Sequence, residues 1–223
     1  MRFDLDIVCL ANSWKHGGRC VAGKIYSGAR AGEWVRPVGP DVANRQISLM
    51  QMSYGQNQYA DVLDIVRISF DGQEANTFQR ENLVISNRPW IKIDAIQQNQ
   101  IARWLDTPPT LWLNGMSSRF GDNDKIEAAM LAQCRSSLVM IRPINPRVRV
   151  AKEYDDRIKI RILFEYNRHH YALTTTDLWA QETYRDRGIG EHALPPVSAM
   201  TISLGEQLSN GNSTKIVAQI FKD

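Results

Sequence analysis

Near the amino end of the chain, Trp14-Lys15-His16-Gly17-Gly18-Arg19 brings together the groups that hold a phosphate. Lys15 and Arg19 are fixed cations, His16 titrates near neutrality, and the Gly17-Gly18 pair leaves backbone N–H groups open in a turn where φ > 0 costs little. Trp14 adds a π-face on which a base can stack, a contact worth roughly 1–3 kcal/mol in single-strand binders. The same residues also suit a charged hairpin tip that binds nothing. Their spacing fits neither the Gly-x-Gly-x-x-Gly fingerprint nor the P-loop, so no nucleotide cofactor of those types is expected, nor any other cofactor.

A second concentration of cations lies further on. Arg147 and Arg149 alternate with Val148 and Val150, and Arg157, Lys159 and Arg161 alternate with Ile158, Ile160 and Ile162. A hairpin whose partner numbers sum to an even value, such as Val148 opposite Ile158, buries the apolar set on one face and gathers the cations on the other. Like charges across a strand pair repel, so such a face is either solvated, tempered by acids such as Glu153, Asp155 or Glu165, or offset by a polyanion. Two further arginines stand in an internal echo: Trp34-Val35-Arg36-Pro37-Val38-Gly39-Pro40 returns as Met140-Ile141-Arg142-Pro143-Ile144-Asn145-Pro146. The echo suggests two related modules and makes Arg36 and Arg142 equivalent, either as a paired anion site between the modules or as arginines satisfying carbonyls at a barrel rim.

Catalytic chemistry finds less support. Glu165, His169, His170 and Asp177 form the one group that suggests a metal or acid–base site, but adjacent histidines on a strand point to opposite faces. His169-His170 follows Asn167-Arg168 as a turn would, and Thr174 to Asp177 reads as a strand end that caps a helix at Leu178. No His and acid stand in nucleophile arrangement near Ser13 or Ser203. No enzymatic activity is expected; the alternative is a metal-dependent hydrolase using His169, His170 and Asp177.

The elements that must position these residues are mostly strands. Period-2 patterns mark strands at 3–10, 20–26, 33–38 and 62–70, separated by short turns except for a polar stretch over 41–59, which reads as a loop. Four such strands suggest a small barrel or sandwich. Apolar residues at helical spacing over 94–105 and 122–134 predict two connecting helices. Strand patterns resume at 147–150, 157–162, 171–175, 197–204 and 215–221, with a short helix at 179–187 and a turn at Ser209-Asn210-Gly211-Asn212. The expected organisation is a first module over 1–90, a helical connector over 91–136 and a second module over 137–223.

Charge and cysteine content set outer bounds. A net charge of +3 over 223 residues is mild for a protein that coats duplex nucleic acid, so the placement of cations must decide the matter. The 3 cysteines lack CxxC spacing, which fits a reducing compartment. The amino end has no apolar signal region and no run of about 18 apolar residues occurs, so a cytoplasmic protein without membrane association is expected.

The phrases CLANSWKHGGRCVAG with EWVRPVG, YGQNQYADVLDIVRI with FQRENLVI, YALTTTD, and ISLGEQLSNGNSTKIVAQIF together resemble the bacterial dual OB-containing domain family. The resemblance implies a mainly β fold of two tandem OB-like small β-barrels, and a role in binding nucleic acid or sensing nucleotides near prokaryotic defence genes. It carries no catalytic motif. It covers the turn from Asn12 to Arg19 and Arg36, and no family motif covers the basic hairpin. The function expected is non-catalytic binding of single-stranded or accessible DNA or RNA. The alternatives are a sensor of a small nucleotide or modified nucleoside, and a subunit that docks protein partners in a multi-component defence complex.

Overall fold

A computed structural model describes residues 2–15, 17–41, 45–74, 78–153 and 156–223. The chain divides into two units, Met1–Trp104 and Leu105–Asp223.

The first unit is built on β1 (Phe3–Lys15), β2 (Gly18–Ile25) and β3 (Trp34–Val38), followed by the small hairpin β4 (Ser53–Gly55) and β5 (Gln58–Tyr59). β6 (Asp64–Gln73), β7 (Asn82–Ile85), β8 (Ile91–Ala95) and a 3-10 helix, Gln98–Trp104, complete it. The length of β1 lets it serve two neighbours. Its first half runs antiparallel to β6, from Phe3↔Phe70 to Val8↔Ile65, and its second half pairs with β2 as far as Lys15↔Gly18. β2 pairs with β3, β3 runs parallel to β7 (Arg36↔Asn82), and β7 pairs with β6, so the sheet closes on itself as a five-stranded barrel. Closure needs a sharp bend in β1, supplied by a register shift between Cys9 and Ala11. Opposite it stands Gly23, where any Cβ would run into the Val8 carbonyl. Ile7, Cys9, Val21, Val35, Val66, Ile68 and Phe70 fill the interior. The polar stretch read as a loop also plugs this core, with Ile47, Met52 and Ala60 buried in it.

The second unit repeats the pairing order. Its elements are β9 (Lys125–Ile126), α1 (Ala128–Leu131), β10 (Leu138–Ile141), β11 (Ile144–Lys152), β12 (Ile158–Tyr166) and β13 (His169–Thr175). Then come α2 (Leu178–Tyr184), β14 (Gly190–Ala193), β15 (Val197–Leu204) and β16 (Ser213–Lys222). β11, β12 and β13 form an antiparallel meander, β13 runs parallel to β16 (Thr174↔Ile216), and β16 pairs with β15, which pairs with β10. β10 and β11 together take the part of β1. The interruption falls at Arg142-Pro143, where proline has no N–H to give a ladder.

Two mainly β modules are therefore present, but the elements between them differ from expectation. The helix expected over 94–105 is β8, whose backbone groups are taken by β6 (Asp64↔Ala95), followed by the 3-10 helix. Ile101 is buried from the 3-10 helix and Ile96 from the link that follows β8, while Ile93 on β8 is exposed, so the apolar residues do not share one helical stripe. The helix expected over 122–134 shrinks to the single turn of α1, because β9 pairs with β16 and Asp122 bridges to Ala172 at the edge of β13. Of the segment expected as a connector, 91–104 falls in the first unit and 105–136 in the second. The echo phrases also occupy different places. Arg36 lies inside β3, whereas Arg142 stands at the break between β10 and β11, so the two arginines are not equivalent.

The cap of α2 is formed as expected. Asp177 is fully buried; its Oδ1 accepts from Ala180 N at 2.7 Å and its Oδ2 from Ile220 N and Gln219 Nε2, each at 2.9 Å. Burial raises the carboxyl pKa, against the hydrogen bonds that lower it. Asp177→Ala removes the cap and orphans donors on β16, so chemical denaturation should show a loss of about 2–4 kcal/mol in the second unit.

Candidate nucleic-acid interface

β1 outruns the barrel at its carboxyl end, where Lys15 pairs with Gly18 of β2 and Gly17 stands at φ 91°. His16 and the Lys15 side chain lie outside the described residues. Trp14 stands opposite Arg19, whose guanidinium carbon is 6.0 Å from the indole centroid. Trp14 remains 54% exposed. The tip is anchored at its base: Arg19 N donates to Ile47 O at 2.8 Å, Ile47 N donates back at 2.9 Å, and Gly18 packs so closely on Gln46 that no Cβ fits. An exposed aromatic face beside a cation, on a pinned hairpin, has the chemistry to stack a flat ring and attract an anion.

Arg36 does not join it. Its guanidinium is buried, with Glu81 Oε1 3.7 Å away, and its backbone N donates to Glu81 O at 2.9 Å. This is an ion pair holding β3 to the segment that leads into β7.

The basic hairpin has the expected parity and a different offset, with Val148 opposite Ile162 and Arg149 opposite Arg161. The cations do not share one open face. Arg161 is 5% exposed, its Nη1 bound to Asp124 Oδ2 at 3.0 Å and its Nε to Glu153 Oε1 at 2.7 Å. Asp124 also accepts from Ser118 N and Oγ, both at 2.6 Å. The segment 118–124 thus runs along the edge of β13 and encloses the Arg161 guanidinium that reaches it from β12. Arg147 and Arg149 share the carboxylate of Glu191 on β14, at 2.9 and 3.1 Å. Arg142, Arg157 and Lys159 are exposed, and neither Arg142 nor Lys159 has a side-chain partner among the described residues.

Several determinants escaped the sequence reading. Glu191 sits in a short alternating run, Gly190 to Ala193, that could have been read as a strand, but its place beside β11 could not. Lys215 looked like an ordinary strand residue and is wholly buried, its Nζ donating to Leu113 O at 2.7 Å and Asn114 Oδ1 at 3.2 Å, above the Tyr171 ring. Burial pushes its pKa down to about 8. His169 and His170 are exposed beside the Asn167-Arg168 turn, and among the described residues no three His, Cys, Asp or Glu side chains gather as a metal site.

Two units that each pair a three-stranded meander to a fifth strand in parallel define a tandem OB protein, the barrel class whose second and third strands and flanking loops take oligonucleotides and oligosaccharides. A dual OB-containing domain model matches residues 5–220, and the chain belongs to that family. No curated protein matches it. Among the described residues no helix is long and apolar enough to cross a membrane.

The buried charges give two expectations. Asp124→Ala takes one of the two carboxylates from the buried Arg161, leaving Glu153, and orphans the Ser118 donors, so it should cost about 1–3 kcal/mol of unfolding free energy in denaturant titration. For Lys215 the folded pKa lies below the unfolded value, so its cost is fully present below pH 8 and is relieved as pH rises toward 10.5. Because buried thiols and phenols with raised pKa values lower stability over the same range, the readout is the difference between proteins: from pH 8 to 10 the stability of the wild type relative to Lys215→Met should rise by on the order of 2 kcal/mol.

Proposed function

We propose that this dual OB protein binds single-stranded or otherwise accessible DNA or RNA without chemical turnover. The observation that carries the reading is the exposed Trp14, paired with Arg19 at the loop between the first and second strands of an OB barrel. A base stacks on the indole while Arg19, with Lys15, meets the adjoining phosphates. The cationic strip of Arg142, Arg147, Arg149, Arg157 and Lys159 on the second unit supplies a further, sequence-independent attraction, weakened by Glu191. The sensor role in a bacterial defence system, with protein partners, rests on family membership alone, and the cytoplasmic setting on the cysteine content and apolar patterning of the sequence.

Fluorescence anisotropy with ~20-nucleotide single strands at two salt concentrations tests both parts. Trp14→Ala should weaken binding by about tenfold or more at either salt, since a stacked base is worth roughly 1–3 kcal/mol. Glu191→Gln releases two guanidinium groups, and should strengthen binding and steepen its salt dependence. Equal affinity of wild type and Trp14→Ala overturns the hairpin site, and an unchanged salt slope in Glu191→Gln removes the strip from the interface.

A further inference from the structure

The first unit contains a cleft of about 870 Å³, framed by Arg2 and Asp71 at the ends of β1 and β6, by Met50 and Tyr54 in and before β4, and by Arg88 and Pro89 between β7 and β8. It shares no residue with the hairpin tip and does not depend on the nucleic-acid reading.

Its walls are held in place. Arg2 Nε donates to Asp71 Oδ1 at 2.7 Å, Tyr54 Oη donates to Asp64 Oδ2 at 3.0 Å, and Arg88 N donates to Ser86 Oγ at 3.2 Å. Pro89 then fixes the chain on the far side of Arg88. In the β4–β5 turn beside it, Gln56 and Asn57 hold φ 51° and 58°, the values a two-residue hairpin turn requires.

The chemistry of the lining is unbalanced in two respects. Asp71 is its one acid and is already bound by Arg2, while the Arg88 guanidinium is exposed and has no partner among the described residues. The apolar wall is equally unsatisfied, because Met50 is 80% exposed above the buried Ile85. A thioether left in water finds its best partner in an aromatic ring, and two guanidinium groups lining one cleft, Arg88 and an Arg2 that gives Asp71 its Nε–H, suit a dianion. A cleft of this size holds a molecule of a few hundred daltons.

We propose that the cleft binds a phosphate monoester of a flat aromatic or heteroaromatic group. Arg88 and Arg2 take the phosphate, and Met50, Pro89 and Pro40 take the ring.

Isothermal titration of the intact protein with phenyl phosphate, adenosine monophosphate and inorganic phosphate tests this. At least one ester should bind at a single site about tenfold or more tightly than inorganic phosphate, a difference of roughly 1.4 kcal/mol. Arg88→Ala should lose that binding, Met50→Asp should erase the preference for the ester, and Trp14→Ala should leave it unchanged. The proposal is overturned if neither ester binds at millimolar concentration, if inorganic phosphate binds as well as both esters, or if Arg88→Ala binds like the wild type. Because Arg88 and Met50 are exposed, either substitution leaves the core intact, and oligonucleotide binding by Arg88→Ala reports separately on the hairpin site.

Discussion

A sheet of five short strands has two edges, and each edge exposes a row of unpaired backbone donors and acceptors. The first unit removes both by asking one strand to pair on each side. β1 gives Phe3 to Val8 to β6 and Ile7 to Lys15 to β2, and the bend between Cys9 and Ala11, together with the close approach at Gly23, makes the double duty possible. The strand must be long to do this, and its surplus length becomes the hairpin that carries Trp14 beyond the core. The structural requirement for closure and the exposed aromatic are thus one feature.

The second unit meets the same constraint with a broken strand, and its charges settle differently. A buried guanidinium must be paired, and Arg161 takes Asp124 and Glu153. That pairing holds the segment 118–124 to the edge of β13 and turns the Arg161 charge away from the face that OB barrels use for ligands. Glu191 holds two more arginines at the neighbouring edge. What remains positive is a strip of exposed side chains rather than a groove, which suits loose attraction to a polyanion more than its positioning. Positioning falls to the hairpin of the first unit.

Much of the strand content could be read from period 2. The strand at 197–204 and the cap of α2 by Asp177 match the structure, and the even parity of the basic hairpin holds because one residue of slip would expose every apolar side chain. The helices at 94–105 and 122–134 could not be judged from spacing, since Ile101 reaches the core from the 3-10 helix and Ile96 from the link before it, and β9 gains its partner from residues 213–214. The echo pointed to two modules although its two copies occupy unlike positions. Which cations stay open depended on Asp124 and Glu191, each distant in sequence from the arginine it binds, and no local pattern announces such a partner.

Photocrosslinking of a single strand to the protein, with identification of the crosslinked peptide, tests the central claim most directly. Stacking on the hairpin predicts that the crosslink falls on the peptide containing Trp14 and disappears in Trp14→Ala. Crosslinks confined to the second unit, and unchanged in that variant, would contradict it.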